Sequence, residues 1–197
     1  MQIKVQAMGD YQTNCYIVTI NDKDLIIDPG MNSLPWIKEQ VNNPIAVLNT
    51  HGHFDHVWSN DIVCKTYNIK LHTPKKDIFM LSMDSYGLGM PHSAADVEIE
   101  EDEEIEIQGI KIKFHFFPGH TPGCSMIQID KDLFSGDFIF KDSIGRCDFP
   151  YSNVEDMKHS LKKVLSWEKD YNIHPGHGIS TTLKAENNSL VQWLNYL

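Results

Sequence analysis

Short apolar segments separated by turn-forming residues dominate the first part of the chain. Alternating or continuous apolar positions predict β-strands at residues 3–8, 15–20, 24–28, 45–48 and 69–73. The segment 45–48 is wholly apolar, which is typical of a strand buried on both faces. A proline in the first turn predicts a helix over residues 35–41, and apolar residues partly on one side predict another over residues 55–67.

The rest of the chain returns to strands and then ends in helices. Alternation predicts strands at both ends of the acidic run 97–107, a hairpin of residues 105–107 and 110–114, and strands at 126–129 and 133–134. The charges of the acidic run are expected in a solvated turn, and a functional acidic patch is the alternative. Ser152 and Glu155 form a capping-box pattern that predicts a helix to about residue 167, and a last helix is predicted from about residue 182 to the end.

The segment 80–96 is less regular than its neighbours. It contains Met80, Met83 and Met90 together with two glycines and a proline. Because methionine adapts to varied apolar partners, this segment could cover a pocket as a lid. An ordinary connection between a helix and a strand is the equal alternative.

The order of these elements indicates the fold class. Strands come first, then a strand–helix unit, then more strands and then helices. This order favours an α+β arrangement, in which two mixed sheets pack together with helices outside. A chain of 197 residues can bury a core without disulfides, and we expect residues 1–197 to form one domain.

Composition and charge exclude several kinds of partner. A net charge of −10 provides no electrostatic footprint for nucleic acid. No apolar run reaches the length of a membrane span, and the first residues lack the pattern of a signal peptide. The four cysteines form no CxxC motif and are expected to be reduced thiols. We therefore expect a cytoplasmic protein with a small-molecule substrate, and the sequence indicates no oligomeric state.

Ionisable residues crowd into the segment THGHFDH at residues 50–56, directly after the predicted strand 45–48. Three later loops each place one similar residue beside a glycine, namely His120 in PGHTPG, Asp137 in SGD and His177 in PGHG. A fourth loop, Asp28-Pro29-Gly30, offers only a carboxylate. Loops held at strand ends by a rigid sheet are where functional residues concentrate.

Five imidazoles and two carboxylates are the candidate metal ligands of this chain. They are His51, His53, Asp55, His56, His120, Asp137 and His177. Nitrogen and oxygen donors of this kind suit zinc, iron or manganese. A structural zinc site needs only four ligands, usually rich in cysteine, whereas seven donors without a thiolate suit two ions that share a bridging carboxylate.

The HxHxDH form of residues 51–56 resembles the metallo-β-lactamase superfamily. The GHTPG, GD and GHG elements match that superfamily in order and spacing across nearly the whole chain. The stretch LFSGDFIF followed by GRCD is most similar to the glyoxalase II-like (hydroxyacylglutathione hydrolase-like) group. The resemblance implies an αβ/βα four-layer sandwich of two mixed β-sheets with outer helices.

The resemblance also implies a role for each candidate ligand. His51, His53 and His120 would bind a first metal ion. Asp55, His56 and His177 would bind a second ion, and Asp137 would bridge the two. Asp55 and Asp137 would be the catalytic carboxylates. The ions are expected to be divalent, with zinc as the first choice and iron or manganese as alternatives. Thr50, Thr121 and Asp28 are candidates for orienting the ligands.

The implied activity is hydrolysis of small acyl thioesters of the S-lactoylglutathione type. A metal-bound hydroxide would attack the acyl carbonyl, and a thiolate would leave. Lactone hydrolysis and persulfide oxygenation by a single iron are alternatives on the same fold, and a non-catalytic metal-binding module is a further one. Zinc β-lactamases of the common kind have cysteine at the position of Asp137, which disfavours that activity.

Arg146 aligns with a basic position that helps to hold the glutathione carboxylates in glyoxalase II enzymes. Guanidinium suits that purpose, and a salt bridge to Asp148 or Asp142 is the equal alternative. Only twenty residues follow His177, so the C-terminal helical domain of the longer enzymes is not expected. Cys124 replaces a common serine and is expected only to fill space.

The remaining histidines lack a partner motif. They are His72, His92, His115, His159 and His174. We expect packed, surface or supporting roles for them, with His92 as the one to watch because it lies in the irregular segment 80–96.

Overall fold

The computed structural model describes residues 1–84 and 87–197. Its first sheet is built from β1 (Gln2–Met8), β2 (Thr13–Ile20), β3 (Lys23–Ile27), β4 (Pro44–Leu48), β5 (Lys70–Pro74) and β6 (Val97–Ile99), which lie side by side in chain order. The β1–β2 and β2–β3 pairs are antiparallel, and the pairs from β3 to β6 are parallel. The strands predicted in this part of the chain are confirmed.

The second sheet comes from the later part of the chain. The strands that follow are β7 (Glu104–Ile107), β8 (Ile110–Phe116), β9 (Ser125–Ile129), β10 (Asp132–Gly136), β11 (Ile139–Phe140), β12 (Ser143–Ile144), β13 (Asn172–Pro175) and β14 (Thr181–Thr182). The order in this sheet is β14-β13-β10-β9-β8-β7, and β11 pairs with β12 alone. Only β10 and β13 are parallel among its described pairs. Both sheets are therefore mixed.

The helices lie on the outer faces of the two sheets. They are α1 (Leu34–Gln40), α2 (Phe54–Val57), α3 (Asn60–Tyr67), a 3₁₀ helix (Lys75–Ser82), α4 (Val154–Leu165) and α5 (Leu183–Tyr196). Tyr16 and Val18 of β2 pack between the sheets, whereas Cys15 and Ile17 of the same strand pack toward the outer helices. This alternation produces separate apolar layers and confirms the predicted four-layer sandwich.

The helix predicted over residues 55–67 is broken in two. Ser59 lies between α2 and α3, and its hydroxyl donates to the carbonyl of Gly30 at 2.7 Å. Its backbone N–H donates to the carbonyl of Pro29 at 2.9 Å. Both groups of Ser59 thus bind the loop after β3 instead of continuing the helix.

The capping box predicted at Ser152 and Glu155 is wrong by one residue. The N-cap of α4 is Asn153, whose side chain accepts from the N–H of Asp156 at 3.0 Å. The hydroxyl of Ser152 donates instead to the carbonyl of His120 at 2.7 Å. The prediction of the last helix is confirmed, since the side chain of Thr182 caps α5.

The acidic run 97–107 contains the two predicted strands, but they belong to different sheets. β6 lies at one edge of the first sheet and β7 at one edge of the second. The turn between them therefore crosses the sandwich. Its Glu101 pairs with Lys76 at 2.6 Å, and Asp102 pairs with Lys163 at 2.8 Å. These ion pairs with lysines favour a structural turn.

The segment 80–96 carries part of the core. Met80 and Met90 are buried, and Met90 packs in the cluster beneath α1 and α3. This favours a connection over a lid for those side chains. Two of its residues, Ser85 and Tyr86, lie outside the described residues.

In residues 1–84 and 87–197, no helix combines the length and apolar character needed to cross a bilayer.

Candidate metal centre

The seven predicted ligands meet at one end of the sandwich. The segment 51–56 follows β4, His120 follows β8, Asp137 follows β10 and His177 follows β13. Because these strands end at the same edge of the two packed sheets, their loops converge. Asp55 and His177 are more than a hundred residues apart in the chain, and tertiary folding brings Oδ2 of Asp55 to 3.4 Å from Nε2 of His177.

The first cluster contains His51, His53 and His120. One nitrogen from each lies within 4.8 Å of the others. Nδ1 of His53 is 2.8 Å from Nε2 of His120. His120 donates its Nδ1–H to the carbonyl of Arg146 at 2.7 Å, so its Nε2 lone pair faces the cluster. All three rings are buried.

The second cluster contains Asp55, His56 and His177, again with ligand atoms within 4.8 Å of one another. Oδ2 of Asp55 is 3.5 Å from Nε2 of His56 and 3.4 Å from Nε2 of His177. The side chain of His177 is 30% exposed, whereas that of His56 is fully buried. The second cluster is thus the one that opens toward solvent.

Asp137 lies between the two clusters. Its Oδ2 is 3.3 Å from Nε2 of His120 in the first cluster and 3.5 Å from Nε2 of His177 in the second. Its Oδ1 is 3.3 Å from Nε2 of His56. One carboxylate therefore reaches histidines of both clusters, which is the position that a bridging ligand occupies.

The hydrogen bonding of these side chains fits a metal centre. Among the described residues, Nε2 of His51, Nε2 of His56 and Oδ1 of Asp137 are buried without a hydrogen-bond partner. Buried polar atoms are rarely left unsatisfied in folded proteins. Three such atoms in one place are explained if they bind cations, and imidazole with carboxylate is a suitable donor set.

Burial determines the charge state of the first cluster. It lowers the pKa of His51 well below the usual value, with the neighbouring His56 acting in the same direction. Burial, together with His120, lowers the pKa of His53 to about 3. Both rings are therefore neutral at pH 7, which is the state that binds a metal ion.

The second cluster has the opposite electrostatics. Burial acts to lower the pKa of His177, but the carboxylates of Asp137 and Asp55 outweigh it and raise that pKa to about 9. The same two carboxylates raise the pKa of His56 against the effect of burial. Burial acts to raise the pKa of Asp55, yet its neighbours, His56 foremost, lower it to about 2. In the metal-free protein, protons on histidine thus balance the two carboxylates.

We expect metal binding at pH 7 to release about two protons per chain, because the cations displace the protons of His56 and His177. The apparent affinity should rise with pH until it passes the pKa of His177, at about 9, and fall on acidification. Isothermal titration calorimetry in buffers of different ionisation enthalpy measures the release. A titration at pH 10 is the control, since the proton of His177 is then already lost, and a release near zero at pH 7 would contradict the prediction.

Asp28 and Thr50 orient the ligand candidates from outside. Nδ1 of His56 donates to Oδ2 of Asp28 at 2.9 Å. Thr50 donates its hydroxyl to the same oxygen at 2.6 Å and its backbone N–H to Oδ1 at 2.8 Å. The hydroxyl of Thr50 then accepts from Nδ1 of His51 at 3.0 Å. These bonds fix the tautomers, so that Nε2 of both rings points inward. The ligand atoms of Asp28, His51 and His56 also lie within 4.8 Å of one another. Because Asp28 already bonds the outer Nδ1 of His56, we interpret it as a supporting residue.

Thr121 is linked to the ligand loops through Asp77, a carboxylate that is not itself a ligand candidate. Its hydroxyl donates to Oδ2 of Asp77 at 2.6 Å. Asp77 also accepts the N–H of Gly52 at 2.9 Å and the N–H of Gly123 at 2.6 Å. This fully buried carboxylate therefore ties the loop of His51 and His53 to the loop of His120.

Sequence reasoning missed Asp77 and two residues at the start of β2. Thr13 donates its hydroxyl to Oδ2 of Asp55 at 2.6 Å. Asn14 donates its side-chain N–H groups to the carbonyls of Pro175 at 3.0 Å and Gly178 at 2.9 Å, on either side of His177. For Thr13 and Asn14, the only signal in the sequence was a polar pair at the start of a largely apolar strand. For Asp77 the sequence offered no signal.

Glycines next to Asp137 are required by close packing. A Cβ atom on Gly176 would lie 2.2 Å from Oδ1 of Asp137, and one on Gly145 would lie 1.7 Å from the carbonyl oxygen of Asp137. No side chain fits at those distances. The glycines noted in the GHG and GR motifs therefore allow the backbone to approach the bridging carboxylate closely.

Arg146 lies at the rim of the first cluster. Its side chain makes a bidentate salt bridge with Asp148, with both N···O distances at 2.8 Å. Its guanidinium carbon is 4.2 Å from the ring centroid of Phe149. The structure thus contains the Asp148 salt bridge that was the structural alternative, and a role for Arg146 in substrate binding stays a prediction.

Three of the remaining histidines have structural partners. Nε2 of His115 is 2.6 Å from Oε1 of Gln128, and Nε2 of His174 is 2.8 Å from Oδ1 of Asp132. Nδ1 of His72 is 3.3 Å from the carbonyl of Val47. Among the described residues, no candidate metal cluster includes any of the five. Cys124 is fully buried, and burial raises the pKa of its thiol, which fits a space-filling role.

Comparison with known proteins identifies the family. The family model described as metallo-beta-lactamase superfamily matches residues 8–177. The chain is 31% identical to hydroxyacylglutathione hydrolase GloC of Haemophilus influenzae, with 96% of each chain covered.

Two solved structures share the fold. One is the BLEG-1 B3 metallo-beta-lactamase, with a TM-score of 0.87 and 29% identity over 95% of this chain and 97% of that one. The other is TTHA1623 in a di-iron-bound form, with a TM-score of 0.83 and 29% identity over 94% of this chain and 98% of that one. Family, fold and the clustered histidines and carboxylates agree, and the chain therefore belongs to the metallo-β-lactamase superfamily as a metallo-hydrolase.

Proposed function

We propose that this protein hydrolyses small acyl thioesters of the S-lactoylglutathione type and binds two divalent metal ions. The observation that carries the proposal is the position of Asp137, whose carboxylate oxygens lie 3.3–3.5 Å from histidines of both clusters. The similarity to hydroxyacylglutathione hydrolase GloC supports the thioester class.

The two clusters would each hold one ion. His51, His53 and His120 would hold the first, and Asp55, His56 and His177 the second, with Asp137 shared. When bound, such a pair of ions supplies Lewis acidity and lowers the pKa of water toward neutrality. Zinc is the proposed metal, and iron is the alternative that the di-iron-bound relative supports.

The carboxylates of the site remain ionised at neutral pH. The pKa of Asp55 is held at about 2 mainly by His56, against the effect of burial. Asp55 and Asp137 can therefore accept a hydrogen bond from a water molecule and orient it toward an acyl carbonyl. Thr13 fixes the rotamer of Asp55 through its hydrogen bond to Oδ2 at 2.6 Å, so that the carboxylate is positioned before the substrate binds.

Most of the histidine side chains of the site are shielded from solvent. His51, His56 and His120 are almost fully buried, and a dry site strengthens the electrostatic interactions within it. A thiolate leaves without protonation, since the pKa of a thiol is about 8.5. Thioester cleavage therefore needs no acidic residue beside the leaving group, whereas amide cleavage would need one.

The test is hydrolysis of S-lactoylglutathione by the purified protein, with its metal content quantified. Turnover with about two ions per chain is expected from a two-metal site. Metal-replete protein without turnover would refute the glutathione thioester assignment. The same preparation would then be assayed with a lactone, a β-lactam, and a persulfide with oxygen uptake. Activity with one of them would assign the alternative, and stable metal without any turnover would indicate a non-catalytic module.

A further inference from the structure

Three aromatic side chains, Phe79, Phe149 and Tyr151, form what we call the aromatic wall. The ring of Phe149 lies 5.9 Å from the ring of His53 and 6.1 Å from that of His120, centroid to centroid. The rings of Phe79 and Tyr151 pack edge to face with centroids 5.1 Å apart. Phe149 thus contacts the first metal cluster. Tyr151 belongs to the same turn, which is closed by the bond from the N–H of Ser152 to the carbonyl of Phe149 at 3.0 Å.

Both segments that carry the wall are fixed to this cluster. Phe79 lies on the 3₁₀ helix, which packs so closely on Gly52 that a Cβ there would lie 2.9 Å from Cβ of Met80. Gly52 stands between His51 and His53 in the sequence. On the other side, Ser152, next to Tyr151, donates its hydroxyl to the carbonyl of His120 at 2.7 Å. The Phe79–Tyr151 pair therefore links the two loops that carry the cluster.

The rings of Phe79 and Tyr151 are exposed, although burial of apolar groups would stabilise the folded protein. Phe79 is 38% exposed and Tyr151 is 51% exposed. Tyr151 also adopts a φ of +69°, a region that bulky residues rarely occupy. Strained backbone of this kind is kept where the surrounding structure requires a side chain in one place, commonly at a functional site.

The cation that packs against Phe149 is already paired with a carboxylate. Arg146 pairs with Asp148 in a bidentate salt bridge and packs against Phe149. The wall therefore presents ring faces and edges, which bind apolar and aromatic groups by burial and by ring–ring contact.

We infer that the aromatic wall is a subsite for an apolar, preferably aromatic, substituent on the acyl group of the substrate. This inference rests on the proposed thioesterase function. The acyl substituent is bonded directly to the carbonyl carbon that is attacked at the metal centre, so it must lie beside the ligand side chains, as Phe149 does. The sulfur is bonded to the same carbon, but the distal part of glutathione carries carboxylates, which apolar rings do not favour.

The test compares S-mandeloylglutathione with S-lactoylglutathione. The two thioesters share the thiol and the 2-hydroxyl group. They differ only in that the mandeloyl group carries a phenyl where the lactoyl group carries a methyl. We expect kcat/KM of the wild type to favour the mandeloyl substrate by roughly tenfold, a modest value for an apolar pocket. Phe79→Ala and Tyr151→Ala should bring the ratio close to one, whereas Tyr151→Phe should keep it. Tyr196→Ala, which removes a tyrosine that is 80% exposed on α5, is the control.

Each outcome decides one of the two proposals. Equal kcat/KM values for both thioesters in the wild type, or a preference that survives both alanine variants, would overturn the subsite while the thioesterase function stands. If neither thioester is hydrolysed, the proposed function fails, and binding of mandelate and lactate to the metal-loaded protein tests the wall by itself. A preference for mandelate that Tyr151→Ala removes supports the subsite, and equal binding overturns it.

Discussion

Asp137→Ala is expected to reduce thioester hydrolysis roughly a thousandfold, because the bridging carboxylate is lost from both clusters. A metal Lewis acid contributes several kcal/mol of transition-state stabilisation, and about 4 kcal/mol corresponds to this factor. The carboxylate of Asp137 reaches His56, His120 and His177, so the variant should also retain less metal. Turnover of S-lactoylglutathione and metal content per chain, measured on the same preparation, check the prediction.

A buried carboxylate at the start of β10, the strand that precedes Asp137, gives the control. Asp132 is 5% exposed at the opposite end of β10, where it pairs with His174 and Asn172. Asp132→Ala should lower the free energy of unfolding but leave metal content and kcat/KM near the wild-type values. Wild-type turnover in folded Asp137→Ala protein would refute the role assigned to this residue.

Asp77→Asn is expected to weaken metal binding roughly 10- to 100-fold, the range for residues that support ligands from outside. All three partners of Asp77 are donors, from Gly52, Thr121 and Gly123. The asparagine side chain has the same shape as aspartate, but an NH₂ donor replaces one of the two acceptor oxygens. At least one of the three N–H or O–H groups therefore loses its acceptor. The loops of the first cluster would then be less well ordered, and the free energy of unfolding should fall by roughly 1–3 kcal/mol.

Asp24 offers a matched control for this substitution. It is 2% exposed and also accepts three hydrogen bonds, from the hydroxyl of Thr19 and the N–H groups of Asn42 and Asn43. Asp24→Asn should destabilise the fold by a comparable amount without changing metal affinity. Competition with a chromophoric chelator measures the affinity, and thermal unfolding of the metal-free proteins measures the stability. An unchanged affinity in Asp77→Asn would show that Asp77 supports the fold alone.

Residue types and local spacing predicted much of the site. The HxHxDH segment and the glycine-flanked His120, Asp137 and His177 contain the donors that two metal ions need. The HxHxDH segment, His120 and Asp137 come after predicted strands, and strands that run in the same direction end at the same edge of a sheet, which indicated that these residues could meet. The strand before His177, β13, was not predicted. The strands from β1 to β10 were predictable since apolar alternation depends only on neighbouring residues. The short strands from β11 to β14 were not predicted.

The supporting contacts were not predictable from the sequence. The bond from Thr13 to Asp55 spans 42 positions, and the bonds from Thr121 and Gly123 to Asp77 span 44 and 46. Nothing local to these residues specifies such partners. The break at Ser59 has the same cause, since it depends on the carbonyls of Pro29 and Gly30 in another loop.

The sequence by itself thus determined the donor set and an α+β order of strands and helices, because these follow from side-chain chemistry and from apolar periods along the chain. The four-layer architecture was implied by the resemblance of its motifs to the metallo-β-lactamase superfamily. Only the tertiary structure decided that Thr13 fixes Asp55, that Asp77 ties the loops of the first cluster together, and that Phe79 meets Tyr151 beside that cluster. Those relations depend on how the two sheets pack, and packing joins residues that the chain keeps far apart.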